Sequence, residues 1–417
     1  MIVAKSSTEP AGVTAVSRAR WLMISLAFFA TVINYLDRQT LSVAAPVLID
    51  KFHMSNVAYS RVLSAFLLSY TIMNAVSGPV IDRLGTRLGY ALCMIWWSAS
   101  SVLHAFASGA FSLGVFRFLL GAGEAGNWPA ALKIVAEWFP DRERALASGF
   151  FNSGSAVGAI LAPPLVAFII FRLGWQWAFA LVGILGFVWL LFWLKLYRTP
   201  EAARTQALAP PPNAWRLFRT RFVWSFTLSK IFMDPAWYFY IFWFPEYLRR
   251  ARHFDMAQIG KYAWIPFFVA GAGNILGGMV SGALIRRGMA VTLARKVAVT
   301  FFAFWMLSAI PAVLVESSWL SIAFVAIAMA GYTGSLANML ALPTDVFARN
   351  SVASVFGLAS MGAGFGGMLF SLVTGWLIDH FSYTPVFIGF GVMPLICVSI
   401  LWFVMGSLRA PIQVAAS

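Results

Sequence analysis

Stretches of about twenty apolar residues recur along this chain, and a polypeptide with that pattern has few folds open to it. A backbone crossing a hydrocarbon layer about 30 Å thick must satisfy its own hydrogen bonds, which an α-helix of about 20 residues does at 1.5 Å per residue. Twelve such segments can be laid out: residues 21–43, 57–81, 90–107, 111–136, 145–171 and 175–196, then 222–248, 259–285, 297–315, 319–346, 352–378 and 384–405. Residues 197–221 between the two sets are polar and Pro-rich, with Pro210-Pro211-Pro212 at their centre, and read as a loop. The expected division is a six-helix half over 1–196, a cytoplasmic linker over 197–221 and a second six-helix half over 222–417. Two facing bundles of this kind are the plan of transporters built from repeats, with the substrate site between them near mid-membrane.

Composition excludes several other classes. Only 11% of the residues are charged and 60% are hydrophobic, against about a quarter charged in a soluble domain. The net charge of +15 would suggest nucleic acid in a soluble protein, but here the basic residues lie between apolar segments and no nucleic-acid module is present. They sort by side, the pattern that sets membrane orientation. One side collects Lys5, Arg18, Arg20, Arg83, Arg87, Arg142, Arg144, Lys195, Arg198, Arg204, Arg216, Arg219, Arg221, Arg286, Arg287, Arg295, Lys296, Arg349 and Arg409. The other has Lys51, Arg61, Arg172, Arg249, Arg250, Arg252 and Lys261. Both termini and the linker are therefore expected in the cytoplasm. The outer run 249–253 has two readings, an anion-steering patch or a tolerated surface cluster, the second being the commoner case. Cys93 and Cys397 lie far apart in apolar segments and suggest no disulfide framework, and no metal site or cofactor is expected. The apolar run after Arg18 and Arg20 continues into Asp37-Arg38 without a clear cleavage site, so it reads as the first span.

Two clusters carry chemistry. The first is residues 117–129, RFLLGAGEAGNWP, where Arg117 and Glu124 are two helical turns apart on one face, roughly 10 Å along the axis. The second is residues 34–38, NYLDR. A charge at mid-membrane costs about 3 kcal/mol on insertion scales, so such residues face a cavity or a partner. Arginine offers a planar fork that holds a carboxylate by two parallel bonds and keeps its charge. Burial in an apolar cavity disfavours an ionised carboxylate and a nearby arginine favours it, so an acid moving between such environments takes up and releases a proton. Asp37 and Arg38 are adjacent, hence about 100° apart around the helix, and one can face the cavity while the other faces a neighbouring span. The competing reading is a static ion-pair network that pins helices together.

The loop between the second and third segments reads GPVIDRLGTR over 78–87 and fills every fixed position of G-x-x-x-D-R-x-G-x-R: Gly78, Asp82, Arg83, Gly85 and Arg87. The chain thereby resembles the major facilitator superfamily. The resemblance implies an all-α membrane protein with 12 transmembrane helices in two six-helix halves. It also implies a gate role for Asp82, Arg83 and Arg87, with Asp82 bracing the N-terminal end of a helix in the other half. The mirror position in the second half is Gly282, so a matching brace there is expected to be weak or absent.

Within that superfamily the chain looks like an anion:cation symporter, on NYLDR over 34–38 and on GAGEAGNWP over 121–129 through EWFP over 137–140. GEAGNWP over 123–129, NSGS over 152–155, APP over 162–164 and DPAWYFY over 234–240 are most similar to hexuronate transporters. The resemblance implies Asp37 and Glu124 as proton-coupling acids and Arg38 and Arg117 as basic groups around the anion. It implies Tyr35 and Tyr70 as cavity tyrosines, and Asn127, within the signature, as a substrate-binding residue. Ser155 stands where galactonate-transporting relatives have glutamine, which argues against copying their substrate. Tyr240, Ser335 and Asn338 are candidate hydroxyl-binding groups and Trp237 a candidate sugar-facing wall, with ordinary packing or a lipid contact as the competing reading for Trp237. Asp234 precedes Pro235 and reads equally as the cap of a break in span seven or as a coupling acid. Lys230 and Lys133 read as snorkelling side chains. His53, His104, His253 and His380 are scattered and form no ligand set. Trp residues near segment ends read as interface anchors, and the glycine runs as sites of close helix approach.

The function implied is proton-coupled symport of a sugar-acid anion, glucuronate or galacturonate first, across a bacterial inner (plasma) membrane. Its partners are the carboxylate, protons and lipid, and the carrier is monomeric. The alternatives are a symporter for galactonate or glucarate, an organic anion or phosphate exchanger that uses paired arginines without needing the acids, and a transporter-like sensor. The linker and tails are too short for a sensor's output module. No nucleophile–base pair, metal cluster or phosphate loop marks an enzyme.

Overall fold

A computed structural model describes residues 11–139, 143–200, 217–347 and 349–406. The first half holds α1 (Ala11–Lys51), α2 (Asn56–Leu84), α3 (Thr86–Leu103), α4 (Ala110–Glu124), α5 (Asn127–Trp138), α6 (Arg144–Leu173) and α7 (Trp175–Leu196). The second holds α8 (Arg221–Arg252), α9 (Met256–Tyr262), α10 (Ile265–Arg286), α11 (Val291–Met306), α12 (Ala309–Leu314), α13 (Ser318–Val346), α14 (Arg349–His380) and α15 (Thr384–Ser399), the last prolonged by a π-helical turn over Ile400–Val404. Helices α4 and α5 divide the expected fourth span, α9 and α10 the eighth, and α11 and α12 the ninth. The architecture is the expected all-helical one. Most of the linker, 201–216, lies outside the described residues.

Helix ends follow local chemistry. Ser55 caps α2 by accepting from the Ala58 amide at 3.0 Å, and Asp255 with Gln258 forms a capping box on α9. Gly85 alone joins α2 to α3 at φ 78°, a backbone conformation that glycine adopts without a Cβ penalty. That is a physical reason for the glycine in the 78–87 loop.

Among the described residues, nine helical segments are long and apolar enough to cross a membrane. Helix α8 is not among them. It is buried along most of its length, against α14, α15 and α1, so its polar groups meet protein. It runs unbroken through Pro235, so the expected break in span seven is absent and Asp234 caps nothing there.

The halves meet through α2 on α14, α1 on α8, and α6 on α9 and α10. Several hydrogen bonds and an ion pair join the halves toward the end remote from the linker. The Asp379 carboxylate at the end of α14 accepts from the Asn56 amide at 3.0 Å, the Asn56 Nδ2 at 2.7 Å and the Val57 amide at 2.8 Å, at the start of α2. Arg249 grips Asp50 with two bonds of 2.6 and 3.0 Å. Tyr59 donates to the Phe242 carbonyl at 2.9 Å, and Ser64 to the Met368 carbonyl at 3.3 Å. Helix α2 records the asymmetry along its own length. Ten of its residues between Asn56 and Tyr70 are buried, whereas from Thr71 to Leu84 only Ser77 and Ile81 are, among the side chains described. The bundle is sealed at the far end and splayed at the linker end.

This corrects the reading of residues 249–253. Arg249 holds Asp50 and Glu246, Arg250 holds Glu246, and Arg252 donates to the Tyr247 hydroxyl at 2.7 Å and to the Ala312 and Val315 carbonyls. These arginines latch helices instead of standing free to steer anions. Lys133 does not snorkel; it donates to the Ile81 carbonyl at 3.2 Å.

Candidate functional site

The site in the first half is made possible by one close helix approach. A Cβ on Gly121 would lie 2.5 Å from the Phe66 carbonyl oxygen of α2, so only glycine lets α4 come this near. Glu124, at the end of α4, is thereby brought against α1. Arg38 Nε donates to Glu124 Oε2 at 2.7 Å, and both side chains are almost wholly buried. The shared face of Arg117 and Glu124 is real in that both are interior, but the partner of Glu124 is Arg38. Arg117, 1% exposed, donates through Nη2 to the Arg38 carbonyl at 3.3 Å.

Asp37 turns away from Arg38, as the 100° step requires. It accepts a short hydrogen bond from Ser101 of α3, whose hydroxyl is also 3.3 Å from the Phe179 carbonyl of α7. The Arg38 guanidinium lies over three rings, Tyr70 at 4.5 Å and Tyr35 and Phe66 at 5.4 Å each. Ser155 of α6 donates to the Asn152 carbonyl at 2.7 Å.

Several buried polar atoms in this cluster receive no partner from the protein: Arg38 Nη2, Arg117 Nε and Nη1, Glu124 Oε1, Asp37 Oδ2 and both amide atoms of Asn34. Native interiors satisfy nearly all such groups, and breaking a buried ion pair costs about 3–5 kcal/mol. A concentration of guanidinium donors without acceptors is a place where a small anion is favoured. Among the described residues no group of three His, Cys, Asp or Glu side chains could hold a metal. His104 is a fully buried packing residue, its ring stacked on Phe179 at 5.1 Å.

The second half faces this cluster with a polar node of its own. Lys230 Nζ meets Asp234 Oδ2 at 2.6 Å, one helical turn apart on α8, and Tyr332 of α13 donates to Asp234 Oδ1 at 3.0 Å. Lys230 is thus paired and 5% exposed, not snorkelling. Trp237, half-buried, stacks on Tyr332 with centroids 5.1 Å apart and planes at 11°. Tyr238 stacks on Phe242 at 6.0 Å, Phe242 meets Phe66 of α2 edge-on at 6.3 Å, and the Arg38 guanidinium lies 5.4 Å from the Phe66 ring, so this wall adjoins the arginine cluster. The sequence reading took Lys230 as a snorkelling side chain and did not single out Tyr238 or Tyr332. The available signal was a Lys–Asp pair at i, i+4 inside an apolar segment, which has no inexpensive place in lipid.

Four expected binding residues are elsewhere. Ser335 donates to the Val299 carbonyl at 3.2 Å, facing α11. Asn338 donates to the Gly277 and Gly334 carbonyls at 2.9 and 3.0 Å, tying α13 to α10. Tyr240 is 1% exposed and packs edge-on to Phe239 and Phe387. Asn127 accepts from the Tyr90 hydroxyl at 2.5 Å and donates to Thr31 at 3.2 Å, so its amide is committed to helix packing. Each meets a neighbouring helix, an orientation that composition cannot reveal in helices apolar on all sides. Of the gate residues, Arg83 is exposed and Arg87 donates to the Leu194 carbonyl at 2.6 Å at the end of α7. The side chain of Asp82 lies outside the described residues. At the mirror position Gly282 supplies no side chain, and the nearby Arg295 pairs with Asp345 at 3.2 Å and donates to Ser281 at 2.9 Å.

Comparison with known proteins follows this geometry. The family model described as Major Facilitator Superfamily matches residues 27–294 and 288–414. A hexuronate transporter of Escherichia coli (strain K12) is 34% identical over 416 residues, 95% of this chain and 96% of that protein. A galacturonate transporter of Dickeya chrysanthemi is 37% identical over 308 residues, 69% of this chain and 89% of that one. Among solved structures, a D-xylose-proton symporter superposes with a TM-score of 0.76 over 91% of this chain and 97% of its own at 15% identity, a likeness of fold.

Proposed function

The chain belongs to the major facilitator superfamily, and from that premise we propose that it is a proton-coupled symporter importing a hexuronate, glucuronate or galacturonate, by alternating access. Galactonate or glucarate is the alternative substrate within the same mechanism. The observation that carries this reading is the Arg38–Glu124 pair at 2.7 Å beside Arg117, whose Nε and Nη1 have no protein partner.

The exchange works as follows. In the carrier open to the outside, Glu124 and Asp37 take up protons. A neutral Glu124 no longer holds Arg38, so Arg38 and Arg117 are free to grip the substrate carboxylate. Tyr35, Tyr70 and Ser155 line the same region and offer hydroxyls to the sugar, and Trp237 offers an aromatic face. The halves then rock, the linker end opens, and the protons leave Glu124 and Asp37. The carboxylate recaptures Arg38 and competes the substrate off. A bundle sealed at the far end with Arg38 already on Glu124 is the arrangement expected after release. Proton and substrate binding are coupled as a linkage free energy, and neither needs a cofactor or metal.

The expected setting is a bacterial inner membrane crossed many times by a monomer, with both termini and the linker cytoplasmic on the strength of the Lys/Arg asymmetry. The test is uptake of labelled glucuronate into proteoliposomes under an imposed pH gradient. Accumulation that collapses with a protonophore supports proton symport of a hexuronate. Uptake seen only with an internal counter-anion would overturn symport in favour of exchange. Uptake of galactonate alone would keep the mechanism and replace the substrate.

A further inference from the structure

We propose that the Asp234–Lys230 pair is a charge filter that makes the site accept monoanionic sugar acids and reject dianionic aldarates, such as glucarate and galactarate. The inference rests on the hexuronate reading above and names what enforces it.

A hexuronate and the corresponding aldarate differ at one carbon. Both carry a carboxylate at one end. At the other, the hexuronate has an aldehyde carbon, closed in the ring form into an anomeric hydroxyl, and the aldarate has a second carboxylate. With one carboxylate held by Arg38 and Arg117, the far end of either molecule would reach toward the wall of Tyr238, Tyr332 and Trp237, which adjoins Arg38 through Phe66 and Phe242. The character of that wall therefore decides between them.

Asp234 sets its character. Both carboxylate oxygens are engaged, Oδ2 by Lys230 at 2.6 Å and Oδ1 by the Tyr332 hydroxyl at 3.0 Å. The one cation near the wall on α8 is thus neutralised at contact distance, and what remains facing the far end is phenol and indole. A neutral hydroxyl or carbonyl is at home there. A second carboxylate would be stripped of water against a net-neutral surface whose closest anion is Asp234, and like-charge juxtaposition at a desolvated site is strongly unfavourable. Lys230 is the latent cation. Buried to 5% exposure, it has a single carboxylate to satisfy it. Without that charge it becomes an uncompensated buried cation that a second substrate carboxylate would relieve.

The pair also explains why a charged couple persists in an apolar helix when a hydrophobic pair of the same volume would be equally stable or more so. Its benefit is discrimination through a repulsive element, with the attractive one kept in reserve.

The experiment is competition of labelled glucuronate binding by unlabelled glucuronate, glucarate and galactarate. It uses purified protein in detergent, with uptake by the same variants in proteoliposomes. Asp234→Asn keeps the size of the side chain and an acceptor for Tyr332. It is expected to lower the ratio of aldarate to glucuronate inhibition constants by at least about tenfold. Lys230→Gln, which leaves Asp234 uncompensated, is expected to raise the ratio. The double variant is expected to return it toward the wild-type value. A ratio compares two ligands on one preparation, so a general loss of stability does not move it.

An Asp234→Asn ratio within about twofold of wild type would overturn the filter. So would an unchanged ratio in Lys230→Gln, which carries the test alone if Asp234→Asn does not fold. Loss of gradient-driven accumulation at an unchanged ratio would make Asp234 a coupling acid instead. Wild-type protein that takes up glucarate and not glucuronate would overturn the functional reading itself, a result distinct from all of these.

Discussion

Replacing Glu124 with glutamine removes one negative charge from a 2.7 Å contact with Arg38 and leaves the shape of the side chain nearly unchanged. Under the proposed exchange, a substrate carboxylate must displace Glu124 from Arg38 whenever Glu124 is ionised. A hydrogen bond between charged groups contributes about 1.5–3 kcal/mol net. Hexuronate should therefore bind roughly 10–150-fold more weakly to the deprotonated carrier than to the protonated one. The sign is fixed by linkage. Protonation frees Arg38, so affinity rises as pH falls, and by reciprocity bound substrate makes Glu124 hold its proton more tightly.

In Glu124→Gln the competitor is gone at every pH. Binding measured by calorimetry or tryptophan quenching across the pH range should flatten to within about threefold, at the affinity of the protonated wild type or better. Counterflow exchange should persist while accumulation driven by a pH gradient is lost. Some stability will go too, but Arg38 keeps its three ring contacts, so the loss should stay at or below the ~3–5 kcal/mol of a broken buried pair. A Glu124→Gln carrier that accumulates substrate with the wild-type pH profile would refute the exchange, and the pair would then be a static brace.

Further outcomes follow from other contacts. Arg117→Lys keeps the charge but removes the fork, and is expected to weaken hexuronate binding at least about tenfold with little change in melting temperature; unchanged affinity would remove Arg117 from the anion site. Asp379→Ala deletes the three bonds from α14 to the start of α2 and should shift the carrier toward the state open at the far end by about 1 kcal/mol, roughly fivefold, read as increased labelling of cysteines placed at that end. Asn338→Ala should lower the melting temperature through two lost buried bonds while leaving the Michaelis constant within about twofold, so a large rise in that constant would return Asn338 to the cavity. Gly121→Val drives a side chain into the Phe66 carbonyl and should abolish a monodisperse protein outright, measured by size-exclusion chromatography after detergent extraction.

The latch at the far end and the splay at the linker end share one logic. Asp379 lies on the first amides of α2, where the unsatisfied N–H groups of a helix attract an anion. The family resemblance assigns the same kind of contact to Asp82 at the opposite end, with the roles of the two halves exchanged. Braces at both ends, closed in turn, are what a carrier with two interchangeable gates requires.

The sequence determined more of the fold than of the site. The helical segments and the grouping of Asp37, Arg38, Arg117 and Glu124 in the interior of the first half were legible, because a bilayer forces apolar segments into helices and makes each interior charge conspicuous. The loop glycine Gly85 was legible as a motif position, and its φ of 78° supplied the reason. Azimuth was not legible. A helix surrounded by lipid on one side and protein on the other has no polar stripe, so nothing marked Ser335, Asn338, Tyr240 and Asn127 as facing neighbouring helices, or Tyr238 and Tyr332 as bordering the cavity. Pairing across the chain was hidden as well. That Glu124 meets Arg38, 86 positions away, and not Arg117 on its own helix, depends on how closely α4 approaches α2 at Gly121. The continuity of α8 through Pro235 was likewise a tertiary decision, since the helix packs on α13, α14 and α15 there, whereas the Lys230–Asp234 pair at i, i+4 was open to view in the sequence.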